Sequence, residues 1–173
     1  MKKIKIISTF LMFVLSFPAH FMYVWFPNFI TSIFFPVNES VWEHMKIIYT
    51  SILITTIIEY FIYKYKNIKY NNLFISIPIA STLGIIIYLL IYYPLNTILG
   101  HSLILSISIL FFTYILCSII SYYILNFRKI KNEKFIGLIL IVFSYIIFTI
   151  LTYMPPKTPI FYDTEKSIYG IDK

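Results

Sequence analysis

The sequence predicts an all-α, polytopic integral membrane protein whose five transmembrane helices form one bundle. Of its 173 residues, 60% are hydrophobic and only 12% are charged, whereas soluble domains average about 25% charged residues. The mean hydropathy is +0.84. A helix that crosses a bilayer needs about 20 mostly apolar residues, and five such runs follow one another along the chain. We therefore expect a single membrane domain.

The net charge of +7 does not indicate a nucleic-acid partner. The basic residues are grouped in short links between apolar runs, which is the pattern of cytoplasmic loops in membrane proteins. The bilayer is therefore the partner that the charge pattern predicts. The single cysteine, Cys117, lies within an apolar run, and we interpret it as a small core residue.

The five predicted spans cover residues 6–26, 40–63, 73–93, 102–125 and 135–154. The first follows a basic start and so resembles a signal peptide, but Phe17 stands where a small residue should precede a cleavage site at Ala19. We favour an uncleaved span, with a cleaved signal as the alternative. Ser40 and Glu43 have the spacing of a capping box, which predicts the start of the second span.

Shorter segments link and follow the spans. Residues 28–36 are aromatic, bracketed by prolines and too short to cross a bilayer, so we expect a re-entrant or interfacial segment. Residues 94–101 are an uncharged turn. Pro155 ends the last span, because the residue before a proline disfavours helix. We expect the tail, residues 155–173, to fold back over the outer surface, with a free tail as the alternative.

The basic residues also predict an orientation. Three lysines precede the first span, three lie in residues 64–72 and four basic residues lie in 126–134, which leaves four for the opposite side. An excess of Lys and Arg marks the cytoplasmic side. The amino terminus is therefore predicted to be cytoplasmic and the carboxyl terminus extracytoplasmic. Residues 38–44, the turn at 94–101 and the tail then share the outer side.

The densest polar cluster, residues 38–44, lies where the second span meets the outer boundary. Glu39 and Glu43 are four residues apart and share a helix face. The three histidines of the chain fall near the same boundary, namely His20, His44 and His101. Imidazoles and carboxylates at one depth predict a site for zinc or another divalent metal, with His20 and His44 as ligands. Glu43 and Glu39 are the candidate catalytic acid and base.

Each of these residues also has a structural interpretation. No local metal signature such as H-E-x-x-H is present. Glu43 completes the capping box and favours the positive end of the helix dipole. The histidines satisfy backbone groups in this interpretation: His44 at the interface, His101 at the start of the fourth span and His20 at a carbonyl that Pro18 leaves free.

Glu59 is the acidic residue that lies well inside a span. It precedes Lys64 by about one helical turn, which places it near the inner surface. We expect it to pair with a lysine there. A role in proton relay is the alternative, because ionisable groups inside a membrane are costly and are often functional.

The run from Pro36 to Lys46, PVNESVWEHMK, resembles the signature of DUF6512, a family of unknown function that comprises small bacterial membrane proteins. The segment Ala19–Tyr23 and the tail, with its two prolines, are also similar to that family, so the resemblance covers nearly the whole chain. It implies a multi-pass protein of the bacterial cell membrane with no established activity. It supports a functional set without naming its role: His20, Asn38, Glu39, Glu43 and His44.

Three functional hypotheses follow from an outward-facing polar pocket. The first is a binding or accessory membrane protein that recognises a small polar ligand, a lipid headgroup or a membrane partner subunit. The second is a membrane-embedded, metal-dependent hydrolase that acts on a lipid or lipid-linked substrate. The third is a small transporter. The candidate binding residues are Asn38, Trp42, His101, Tyr162 and Asp163.

Overall fold

A computed structural model describes residues 1–100 and 102–171, so the predicted binding residue His101 lies outside the described residues. Among them, five helices are long and apolar enough to cross a membrane, which confirms the predicted all-α class. They are α1 (Lys2–Trp25), α3 (Val41–Tyr65), α4 (Leu73–Leu99), α5 (Leu103–Asn126) and α6 (Glu133–Tyr153). A short helix, α2 (Phe29–Phe34), precedes α3.

The long helices alternate in direction and pack around α3. Helix α3 contacts α1 and α4, α5 packs against α1 and α4, and α6 packs against α4. The core is rich in tyrosine as well as aliphatic residues, and its fully buried members include Tyr49, Ile48 and Tyr114. We call the end of the bundle where α1 ends and α3 begins the site end, and the opposite end the Lys5 end.

Helix α2 accounts for the segment that was predicted to be re-entrant or interfacial. Asn28 caps it through a capping box, because Asn28 Oδ1 accepts from the Thr31 amide at 3.0 Å and Thr31 Oγ1 accepts from the Asn28 amide at 3.1 Å. With 6 residues, α2 spans only about 9 Å, so it does not cross a bilayer. It packs against α6, α1 and α3.

Helix α4 is longer than the sequence predicts. It continues through Pro94 to Leu99 and ends at Gly100, whose φ of 76° lies in the left-handed region. The predicted turn at 94–101 is therefore helical over most of its described length. A proline removes one helical hydrogen bond, but in an apolar segment continued helix satisfies the remaining backbone groups better than an open turn does.

The tail folds against the site end. A 3-10 turn, η1 (Pro159–Phe161), leads into two short antiparallel strands, β1 (Tyr162–Asp163) and β2 (Ile168–Tyr169). The ring centroid of Phe161 lies 5.0 Å from that of Trp42 on α3. Asn38 Nδ2 donates to the Gly170 carbonyl at 2.7 Å. These contacts fix the tail on the loop that precedes α3.

Helices α4 and α6 approach each other closely at Gly137. A Cβ added there would lie 2.5 Å from the Phe74 carbonyl carbon and 2.7 Å from the Ile75 nitrogen. Both contacts are with backbone, which does not move aside as a flexible side chain does. The small residue therefore sets the distance between these two helices.

We predict that Gly137→Ala lowers the free energy of unfolding by about 1–3 kcal/mol, the usual cost of overpacking. The loss is expected even though alanine favours helix over glycine by about 1 kcal/mol. Thermal unfolding in detergent micelles measures it. Leu138→Ala, at an exposed neighbouring position on the same helix, is the control and should change little. Equal or higher stability for Gly137→Ala would contradict the close approach.

Candidate metal site

Three side chains from separate segments converge at the site end: His20 of α1, Glu39 of the loop before α3 and His44 of α3. One potential ligand atom from each lies within 4.8 Å of the other two. Glu39 Oε1 is 3.6 Å from His20 Nε2, and Glu39 Oε2 is 3.3 Å from His44 Nε2. The imidazole rings stack with their centroids 5.1 Å apart.

The tautomer of His44 follows from its neighbour. His44 Nδ1 lies 2.8 Å from the Ser40 carbonyl oxygen, and a carbonyl oxygen only accepts, so Nδ1 carries a hydrogen. In the neutral ring, Nε2 then presents a lone pair toward Glu39 Oε2. A proton or a metal ion between these two acceptors would offset their repulsion at 3.3 Å.

The loop from Pro36 to Ser40 brings Glu39 to the histidines, and the tail holds that loop. The Glu39 amide donates to Asp163 Oδ2 at 3.0 Å, and the Ser40 amide donates to Asn38 Oδ1 at 2.9 Å. Asp163 is itself fully buried, and its other oxygen accepts from the Glu165 and Lys166 amides. The position of Glu39 thus depends on the strand pair of the tail.

The charges around Glu39 favour its ionised form. When the histidines are protonated, a hydrogen bond from His44 lowers the pKa of Glu39, and the positive charges of His44, His20 and Lys166 add to this effect against the opposing effect of partial burial. An ionised carboxylate is the form that binds metal ions. The side chains of His20, Glu39 and His44 are 26%, 37% and 31% exposed, so the site is open to small ligands.

A comparison with family models identifies the chain. The model described as a family of unknown function, DUF6512, matches residues 1–171. The chain belongs to this family. No curated protein and no solved structure matches it, so the function of this DUF6512 chain has to be argued from its own geometry.

Glu43, the predicted catalytic base, is saturated by protein contacts in this DUF6512 chain. Its Oε2 accepts from Lys46 Nζ at 2.7 Å and from the Val37 amide at 3.0 Å. Its Oε1 accepts from Thr152 Oγ1 at 2.7 Å. Glu43 is 2% exposed. This arrangement favours a structural role for Glu43 over proton transfer to a substrate.

Lys46 completes the same network from the other side. It is fully buried, and its Nζ donates to the Ser32 carbonyl at 2.8 Å as well as to Glu43. A longer contact of 3.4 Å reaches the Phe35 carbonyl. Ser32 lies in the last turn of α2 and Phe35 follows its last residue, so both carbonyls lie where the helix dipole favours a positive charge. The ion pair therefore connects α2 to the first turn of α3.

The other predicted binding residues that the structure describes belong to the loop before α3, the first turn of α3 and the tail. Asn38 and Asp163 are buried. The Asn38 side chain hydrogen-bonds to the tail, and the Asp163 side chain hydrogen-bonds to the loop before α3. Trp42 is partly buried between Phe148 and Phe161. Tyr162 pairs with Tyr169 across the strands at a centroid distance of 5.0 Å. Their contacts are internal, and direct ligand contact by these residues stays a prediction.

Two tail residues near the site were missed by the sequence analysis. Glu165 is close enough to His20, and Lys166 close enough to Glu39, to interact electrostatically. Both residues lie in the tail and are exposed. No local spacing connects them to residues 20–44. The signal that could have found them was the expected fold-back of the tail, which places its charges over the same surface.

We predict that Lys46→Met lowers the free energy of unfolding by about 3–5 kcal/mol, because it leaves the buried Glu43 carboxylate without its positive partner. Lys64→Met, at an exposed position near the end of α3, is the matched control and should stay within about 0.5 kcal/mol of the original chain. Thermal unfolding in the same detergent compares the two. Equal stability of both variants would show that the pair is dispensable.

Proposed function

We propose that this chain is a membrane protein that binds a divalent metal ion, zinc by preference, through His20, Glu39 and His44. The convergence of three ligand atoms within 4.8 Å carries this proposal. Tetrahedral bonds of about 2.0–2.2 Å put ligand atoms roughly 3.3 Å apart, and the two histidine-to-glutamate distances, to different oxygens of Glu39, are 3.3 and 3.6 Å. Little movement is therefore needed to close the site on an ion.

The donor set favours zinc and other transition metals over magnesium or calcium. Two imidazole nitrogens suit zinc, copper, iron and nickel, whereas magnesium and calcium prefer oxygen ligands in larger number. The hydrogen bond between His44 Nδ1 and the Ser40 carbonyl supports the proposal further. A bond of this kind fixes the ring and directs Nε2 to the metal.

We also propose that the site faces the outside of a bacterial cell membrane, with the amino terminus in the cytoplasm. The excess of basic residues at the Lys5 end of the long helices supports this orientation by the positive-inside rule. A site on the outer side fits a binding or accessory protein that binds the ion, or a ligand coordinated by the ion, from outside the cell.

A metal-dependent hydrolase that acts on a lipid or lipid-linked substrate is the second candidate. One observation favours it. Three protein ligands with partly exposed side chains leave a fourth position for water, as catalytic zinc sites do, whereas structural zinc sites are closed by four protein ligands. The bonds that occupy Glu43 leave this candidate without its predicted base, so we rank metal binding first.

The metal proposal predicts one tightly bound Zn²⁺ per purified chain and weak binding of Mg²⁺. His44→Ala and Glu39→Gln should each weaken Zn²⁺ binding by at least about 100-fold, because loss even of an outer-shell partner costs 10–100-fold in known sites. Competition with a chromophoric chelator in detergent measures the affinity. Elemental analysis measures the stoichiometry.

The matched control for these variants is Glu165→Gln, which removes an exposed carboxylate that is not part of the three-residue cluster. It should keep Zn²⁺ binding within a few-fold of the original chain. Absence of stoichiometric Zn²⁺ binding by the original chain would refute the proposal. So would an unchanged affinity in folded His44→Ala.

The orientation is tested by labelling single cysteines in intact cells. In a Cys117→Ser background, a cysteine at Lys157 in the tail should react with a membrane-impermeant maleimide. A cysteine at Lys66, beyond α3 at the Lys5 end, should react only after lysis. Both lysines are exposed, so accessibility within the fold is matched. The reverse labelling pattern would overturn the proposed orientation while leaving the metal proposal intact.

A further inference from the structure

A second charged cluster lies inside the bundle near the Lys5 end. Lys5 Nζ donates to Glu59 Oε2 at 2.6 Å and to Ser121 Oγ at 2.7 Å, and Ser118 Oγ donates to the Lys5 carbonyl at 2.8 Å. Lys5 is 6% exposed and Glu59 2%. The sequence predicts that Glu59 pairs with a lysine at the inner surface. The partner comes from α1, and the pair is enclosed by protein.

Hydroxyl groups extend from this pair toward the site end. On α3, Thr55 and Ser51 precede Glu59 at four-residue intervals, toward the site end. Residues four apart share a helix face. On α1, Ser16 lies four residues from His20. The α5 residue Tyr114 stands between these two helices, with its hydroxyl close to Ser51 and Ser16. We call Thr55, Ser51, Tyr114 and Ser16 the hydroxyl column.

Three hydroxyls of the column are buried without protein partners. Thr55 is 1% exposed, and Ser51 and Tyr114 are 0% exposed. Over the described residues, none of the three has a contact of hydrogen-bond geometry. A buried hydroxyl without a partner costs about 1–3 kcal/mol, and in known proteins such groups are usually satisfied by internal water. Two of the three lie on α3 and the third lies on α5, and internal water is the partner that would satisfy them.

We propose that the hydroxyl column, with the internal water that satisfies it, conducts protons between the Lys5–Glu59 pair and the rim of the site end. A proton that reaches the pair passes from water to hydroxyl by exchange of covalent and hydrogen bonds, and it leaves at the rim of the site end. On α3 the column covers about 12 Å, from Glu59 to Ser51, and Ser16 on α1 continues it toward His20. No atom other than hydrogen moves through it.

Apolar residues restrict the column to protons. Met12 of α1 and Ile48 of α3 lie on the same faces as the hydroxyls and are buried at 4% and 1% exposure. Because these apolar side chains lie among them, the hydroxyls of the column are separate polar groups and do not line an open pore. A hydrated cation needs a continuous ring of oxygen ligands or a wide aqueous path, whereas a proton needs only neighbouring hydrogen-bonding groups.

The test uses purified chain in liposomes that contain a trapped pH-sensitive dye. A pH step is imposed with valinomycin and K⁺ present, so that K⁺ movement balances the charge of each proton. EDTA on both sides keeps the proposed metal site empty, which separates this proposal from the metal proposal. Proton flux should exceed that of protein-free liposomes. Ser51→Ala and Thr55→Val should each reduce the excess flux by about tenfold or more, because each removes one step of the column.

The matched control is Ser108→Ala, which removes an α5 hydroxyl that is exposed and bonded to its own helix at the Ile104 carbonyl. Its flux should equal that of the original chain. Ser51→Ala and Thr55→Val should fold normally, since the hydroxyls they remove make no hydrogen bond to the described residues. Thermal unfolding checks this. No excess flux for the original chain overturns the proposal, and so does equal flux in the column variants or an equal reduction in Ser108→Ala.

Discussion

The buried ion pair between Glu43 and Lys46 is the interaction on which the site end depends. Two charges taken out of water are tolerated only when nearly all of their donors and acceptors are satisfied, and here the partners come from α2, the following loop and α6. Because Lys46 holds the end of α2 and Glu43 holds the Val37 amide, the loop has little freedom where it enters α3. That loop carries Glu39 to the histidines, so the geometry of the candidate metal site is a consequence of the pair.

Local sequence rules predicted part of this arrangement. Ser40 caps α3 as predicted, with the Glu43 amide donating to its hydroxyl at 3.3 Å. The second half of the predicted capping box is wrong, because Asn38 accepts from the Ser40 amide and the Glu43 carboxylate turns inward. One of the partners that hold it there, Thr152, is 109 residues away. Spacing rules predict bonds within one helical turn. They do not detect a long-range contact that competes with such a bond.

The elements were more predictable than their contacts for the same reason. Run length and hydropathy depend on each segment alone, so the five long helices could be inferred from composition. The convergence of His20 with His44 required the direction of each helix as well, which the basic residues supplied. The end of α4 was not predictable in this way, because Pro94 signals a break in water, whereas an apolar environment penalises the open backbone that a break would create.

The two ion pairs and the histidine cluster differ in how many of their hydrogen-bonding groups are already bonded within the protein. Glu43 and Lys46 use their hydrogen-bonding groups in contacts within the fold, and they are too deeply buried for a ligand to reach them. Lys5 and Glu59 are equally buried, yet the hydroxyls beside them on α3 have no protein partners among the described residues. A lysine at the end of α3 would have anchored Glu59 at the surface. Its pairing with Lys5 instead draws the carboxylate between helices and next to those hydroxyls, which is the reason to treat this pair as one end of a path.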